Sequence, residues 1–93
     1  MNTAIIHYHD DDSTVVVSFD GVVLEVFSAN SDEQVRLHIA QLQSIDVKSE
    51  DGKSELVVDP DADVFPLEVE DEAVVGVMEL VDTVQKAIAA YRS

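Results

Sequence analysis

The sequence predicts a mainly β, α+β domain: seven antiparallel strands in two orthogonal sheets, capped by one C-terminal amphipathic helix. Three observations carry that expectation. Apolar residues recur with a period of two as far as about residue 70, and with a helical period from there to the end. Two Asp-Gly dipeptides, Asp20-Gly21 and Asp51-Gly52, each stand between β-branched runs, the strongest short-range signal for a hairpin. A chain of 93 residues has room for one small core and no second domain, so residues 1–93 are read as one unit.

The first strand is expected over residues 3–9, where Ala4, Ile6 and Tyr8 face inward and Ile5, His7 and His9 face the other way. Residues 10–13 make a polar turn. Strands over residues 14–19 and 22–27 flank Asp20-Gly21 and pair as a hairpin. Residues 34–40 put Val35, Leu37 and Ile39 on one face with Arg36 and His38 on the other. Ile45 and Val47 resume the alternation in a strand over residues 44–50, and Asp51-Gly52 returns the chain through residues 53–58. Over residues 65–70, Phe65, Leu67 and Val69 alternate with Pro66, Glu68 and Glu70. Pro66 has no N–H to give to a ladder, which marks a strand beginning or an edge.

The helix is expected over residues 71–91. Asp71 suits the N-cap, and Asp71 with Glu72 complements the positive end of the helix dipole. Val74, Val77, Val81, Val84, Ile88 and Tyr91 recur at spacings of three and four, a single apolar stripe that closes the strand framework. Val75 and Met78 flank the stripe and extend the surface outward, while Lys86 and Arg92 lie toward the end that favours cations. Gly76 weakens a helix by about 1 kcal/mol relative to alanine, so it is expected to mark close packing on the sheet.

Charge bounds the function. Twenty Asp and Glu residues against five Lys and Arg give a formal net charge of −15, a field that repels nucleic acid phosphates and anionic membranes. The surplus suits a hydrated surface adapted to high salt, complementarity to a basic partner, or solubility alone. Only Lys48, Lys53 and Lys86 supply lysine, which favours the high-salt account. Cysteine is absent, so disulfides, thiolate metal sites and thiol nucleophiles are excluded. No basic leader and no run of 18 apolar residues occurs, and a soluble cytoplasmic protein is expected.

Chemistry-bearing residues are few. In the stretch HYHDDD, His7 and His9 project from one strand face, a spacing that holds a metal when a third ligand arrives from another strand. His38 also projects away from the apolar side of its own strand. Asp59, Asp61 and Asp63, with Glu70, imitate a calcium loop, but the sixth position is Val64 where such loops need glycine. Both groups are read as solvated, and no metal or cofactor is expected. Nor is catalysis, because Ser18, Ser28 and Ser44 lack a nucleophile elbow and no glycine-rich phosphate loop is present.

Element order, the hairpin FDGVVLEVF and the stretch RLHIAQLQSIDVKS together resemble the pleckstrin-homology-like superfold, in particular its small bacterial and archaeal members. The likeness covers nearly the whole chain. It implies a non-catalytic module that binds another protein or itself, with a peptide lying between the fifth strand and the C-terminal helix. By element order, Ser44, Asp46, Lys48, Met78 and Asp82 would line that groove. The likeness also implies assembly into a homo-oligomer. It does not imply phosphoinositide binding, since Asp10, Asp11 and Asp12 occupy the turn where binders carry Lys and Arg, and no tryptophan is present for the helix. An alternative of another class is an acidic inhibitor or immunity-type protein that masks a basic site on its partner.

Overall fold

The first sheet is organised by its turns. In the computed structural model, which describes residues 2–10, 12–29, 34–59 and 65–93, strands β1 (Asn2–Tyr8), β2 (Ser13–Phe19), β3 (Val23–Ser28) and β4 (Gln34–His38) form one antiparallel sheet in that order. The Asp20 carboxylate accepts the N–H groups of Val22 and Val23 at 2.9 and 2.7 Å, while Gly21 takes a positive φ of 101°. Val22 is thereby held in the turn rather than in the strand, and β3 begins one residue later than the periodicity implies.

The second sheet holds β5 (Ser44–Glu50), β6 (Lys53–Asp59) and β7 (Leu67–Val69), again antiparallel and in sequence order. Asp51 and Gly52 both have positive φ, 52° and 79°, which a two-residue hairpin of the favoured twist requires. Ladder pairing of β7 starts only after Pro66, so the expected strand over 65–70 shortens to three residues. Phe65, Leu67 and Val69 still face inward as the alternation implies.

Between the sheets the chain makes a device that alternation alone does not disclose. His38 ends β4 because its Nδ1 accepts the Ala40 N–H at 3.0 Å while the Gln41 side chain accepts the His38 N–H at 2.9 Å. This reciprocal capping box starts a 3-10 turn, Ile39–Gln41, in place of the last two residues of the expected strand. The turn swings Ile39 and then Leu42 into the core before β5 begins.

The C-terminal element differs from expectation at both ends. A 3-10 turn, Asp71–Ala73, leads into α1 (Val74–Arg92), and neither helix start carries a side-chain cap, so Asp71 is not an N-cap. Buried Val69 and Ala73 pin the chain on both sides of Asp71, and the tight turn between them places Asp71 inside the helical segment. The buried stripe is Val77, Leu80, Val81, Val84 and Ile88, with Val74 half-buried. Leu80 therefore replaces Tyr91 in the expected stripe. Tyr91 is 54% exposed because the helix overshoots the core after Ile88, and its last turn is tied instead by Arg92 donating to the Leu42 carbonyl at 2.7 Å.

Gly76 is also corrected: it is exposed, and a Cβ built on it would meet no atom within 4 Å. Close packing does not explain it. α1 packs on β1 and β2 of one sheet and on β5 of the other, so its apolar side closes a single core drawn from both. That core is apolar throughout, with no buried polar or charged residue among the described residues.

Candidate functional site

β5 is an outer strand of its sheet, and α1 runs alongside it. Between them Asp46, Val47, Met78, Val81, Asp82 and Gln85 line an open depression of about 210 Å³. On the helix, Met78, Asp82 and Gln85 share one face by their spacings of four and three. Val81 forms buried floor, and Met78, 55% exposed, stands at the rim. Lys86 pairs with Asp82 at 2.9 Å one turn away.

The edge of β5 is already occupied by the protein's own side chains. Gln85 Nε2 donates to the Ile45 carbonyl at 2.8 Å, and the Val47 N–H donates to Asp46 Oδ1 at 2.8 Å. In an antiparallel pairing, the carbonyl and the N–H on either side of one residue are the two groups that an added strand would use there. Gln85 and Asp46 thus stand where a neighbouring strand's donor and acceptor would stand, which protects an otherwise open edge.

Of the five residues expected in the groove, the structure brings together Asp46, Met78 and Asp82. Ser44 and Lys48 are exposed on either side of Asp46 along β5 and do not line the depression. Val47, Val81 and Gln85 were not foreseen. Gln85 was within reach of the sequence, because it lies seven residues after Met78 on the same helix face. Val81 and Val47 were not, because both read as core.

The histidines part company. His7 Nδ1 bonds Thr14 Oγ1 at 3.0 Å across the β1–β2 ladder, while His9 Nε2 bonds Glu72 Oε1 at 2.7 Å and ties the end of the first hairpin to the start of the helix. The hydrogen bond to Glu72 and its negative charge hold the His9 imidazole above its ordinary pKa. Next to it, the Tyr8 hydroxyl donates to the Glu68 carbonyl. His38 caps the 3-10 turn on β4, which with β1 forms the two outer strands of the first sheet, about 14 Å from β1 by strand spacing alone. Asp59 is exposed at the end of β6, whereas Pro60, Asp61, Asp63 and Val64, like Asp11 of the acidic turn, lie outside the described residues. Among the described residues no three His, Asp or Glu side chains converge as a metal set.

No protein-family model, curated protein or solved structure matches this chain. No helix among the described residues is long and apolar enough to cross a membrane.

Proposed function

We propose that this chain is a non-catalytic protein-interaction module on a pleckstrin-homology-like scaffold, whose groove between β5 and α1 receives an extended peptide. Two antiparallel sheets of four and three strands with a helix packed on both are compatible with that scaffold. The observation that carries the functional reading is the depression itself: an outer strand whose edge groups are held by the side chains of Gln85 and Asp46 rather than by another strand, an apolar floor of Val47 and Val81, a flexible Met78 at the rim, and carboxylates at Asp46 and Asp82. A peptide that displaces Gln85 and Asp46 from the Ile45 carbonyl and the Val47 N–H would gain main-chain pairing to β5, Met78 would adapt to an apolar side chain, and the carboxylates would select Lys or Arg.

Selection from a displayed library of random peptides tests this. Enriched sequences should combine basic and apolar residues, and Met78→Lys, which removes the apolar contact and repels a basic peptide, should abolish their binding while leaving the circular dichroism spectrum intact. Enrichment that survives Met78→Lys would overturn the groove. The net charge of −15 supports a second reading, an acidic inhibitor that covers a basic site on its partner. A groove binder with a local basic contact loses only modest affinity with salt, whereas a charge mimic loses it steeply.

A further inference from the structure

Asp20-Gly21 and Asp51-Gly52 close one hairpin each, but the fold treats their carboxyls differently. An aspartate followed by glycine is a reactive pair, because the glycine nitrogen is unhindered and can close a five-membered ring on the carboxyl carbon. The Asp20 carboxylate is held across its turn by the Val22 and Val23 N–H groups at 2.9 and 2.7 Å. Those amides, with the charge of Arg36, also favour its ionised form, whereas the nitrogen attacks the protonated acid. Among the described residues the Asp51 side chain makes no hydrogen bond or ion pair. Its turn lies beyond the last ladder pair of β5 and β6, Glu50 with Lys53, and all four residues are exposed, so opening it breaks little.

We propose that Asp51-Gly52 is a site of spontaneous isomerisation to isoaspartate, and that the fold shields Asp20-Gly21 from the same reaction. The Gly52 nitrogen bonds to Asp51 Cγ, and the carboxyl hydroxyl leaves with the Gly52 proton as water. A second water then opens the cyclic imide at one of its two carbonyls. Opening at the side-chain carbonyl puts the main chain back on its original path, whereas opening at the main-chain carbonyl leaves it running through Cβ and Cγ of Asp51. Nothing is oxidised or reduced, and the composition returns to its starting value. The isoaspartyl product lengthens the main chain by one carbon inside a two-residue turn closed by two positive-φ residues. A one-residue slip of the β5–β6 ladder would turn Ile45 or Val58 out of the core, so the added length is taken up at the tip. The Glu50–Lys53 pairing and the bond between the Ser49 and Ser54 hydroxyls at 3.1 Å are lost, while the groove at Asp46 keeps its shape.

Incubating the full chain at neutral pH in heavy-oxygen water, both folded and unfolded in urea, tests it, because each passage through the imide adds one heavy oxygen. Trypsin then cuts after Lys48 and Lys53 and releases Asp51 in the peptide of residues 49–53, apart from the peptide that carries Asp20. Comparing each site with itself in urea removes the influence of the residues that follow the two glycines, Val22 and Lys53. Folding should slow labelling of Asp20 on the order of tenfold or more beyond any slowing of Asp51, the effect of one amide–carboxylate bond that must break before the ring can close. The labelled 49–53 peptide should elute as two species of equal mass, aspartyl and isoaspartyl. Asp51→Glu, whose longer side chain closes a larger and disfavoured ring, should remove the label from that peptide without altering the circular dichroism spectrum. In aged protein, amide shifts should change at residues 49–54 and stay in place at Asp46 and Val47. Equal protection of the two sites by folding, faster labelling of Asp20 than of Asp51 in the folded chain, or label that persists in the 49–53 peptide of Asp51→Glu would each overturn the proposal.

Discussion

Replacing Leu80 with alanine should cost this small domain a large share of its stability, and replacing Tyr91 should cost almost nothing. Leu80 is 1% exposed on the side of α1 that faces both sheets, whereas Tyr91 is 54% exposed beyond the end of the core. Removing three buried carbon groups forfeits about 2.4 kcal/mol of transfer free energy, and the cavity left between helix and sheets raises the loss to about 3 to 4 kcal/mol. A domain of this length has a total stability of roughly 5 to 14 kcal/mol, so Leu80→Ala should remain folded at room temperature with a midpoint about 12 to 32 °C lower. Tyr91→Ala should stay within about 0.5 kcal/mol of the parent. Urea unfolding followed by far-UV circular dichroism reads both. Equal losses for the two variants, or less than about 1 kcal/mol for Leu80→Ala, would mean that α1 does not close the core.

Gly76→Ala should stabilise the protein by about 1 kcal/mol, because the position is helical, exposed and open around a new methyl, and the same unfolding assay reads it. Gln85→Ala should lower stability by about 1 kcal/mol through the lost bond to the Ile45 carbonyl, yet tighten binding of a groove-selected peptide severalfold by vacating the edge, as isothermal calorimetry would show. The His9 pKa is raised, so the His9–Glu72 contact contributes fully below the ordinary value near 6.5 and fades as pH rises through the folded value. An NMR titration of the His9 ring should show that inflection moving down toward the ordinary value in Glu72→Gln. Asp20 behaves oppositely, because the Val23 and Val22 amides hold its carboxyl below the usual range: its contribution is present above about 3.8 and is lost as pH falls through the folded value. Carboxyl carbon shifts would follow it. Thermal midpoints should climb between about 0.1 M and about 1 M salt if the acidic surface is adapted to screening.

The periodic elements were legible because each has one buried face, and a one-residue slip would turn Ile6, Val17 or Leu24 out to water. Boundaries set by polar side chains were harder. The turn at Ile39–Gln41 depends on a reciprocal bond between His38 and Gln41, and the late start of β3 depends on one carboxylate taking two amides. Neither contact leaves a mark on hydropathy. The exchange of Leu80 for Tyr91 in the stripe has another cause: spacing tells which side of a helix faces inward, but not where the sheets beneath it stop. The groove was half legible for the same reason. Asp46, Met78 and Asp82 follow from element order, while Gln85 enters because its length reaches the Ile45 carbonyl across the gap.

The groove is tested most directly by an amide shift map of labelled protein titrated with a basic, apolar peptide selected on the parent chain. Perturbations should concentrate at Ile45, Asp46 and Val47 on β5 and at Met78, Asp82 and Gln85 on α1, with the Ile45 and Val47 amides changing most. Shifts spread over the acidic surface, or centred on β1 to β3 while β5 stays still, would contradict it.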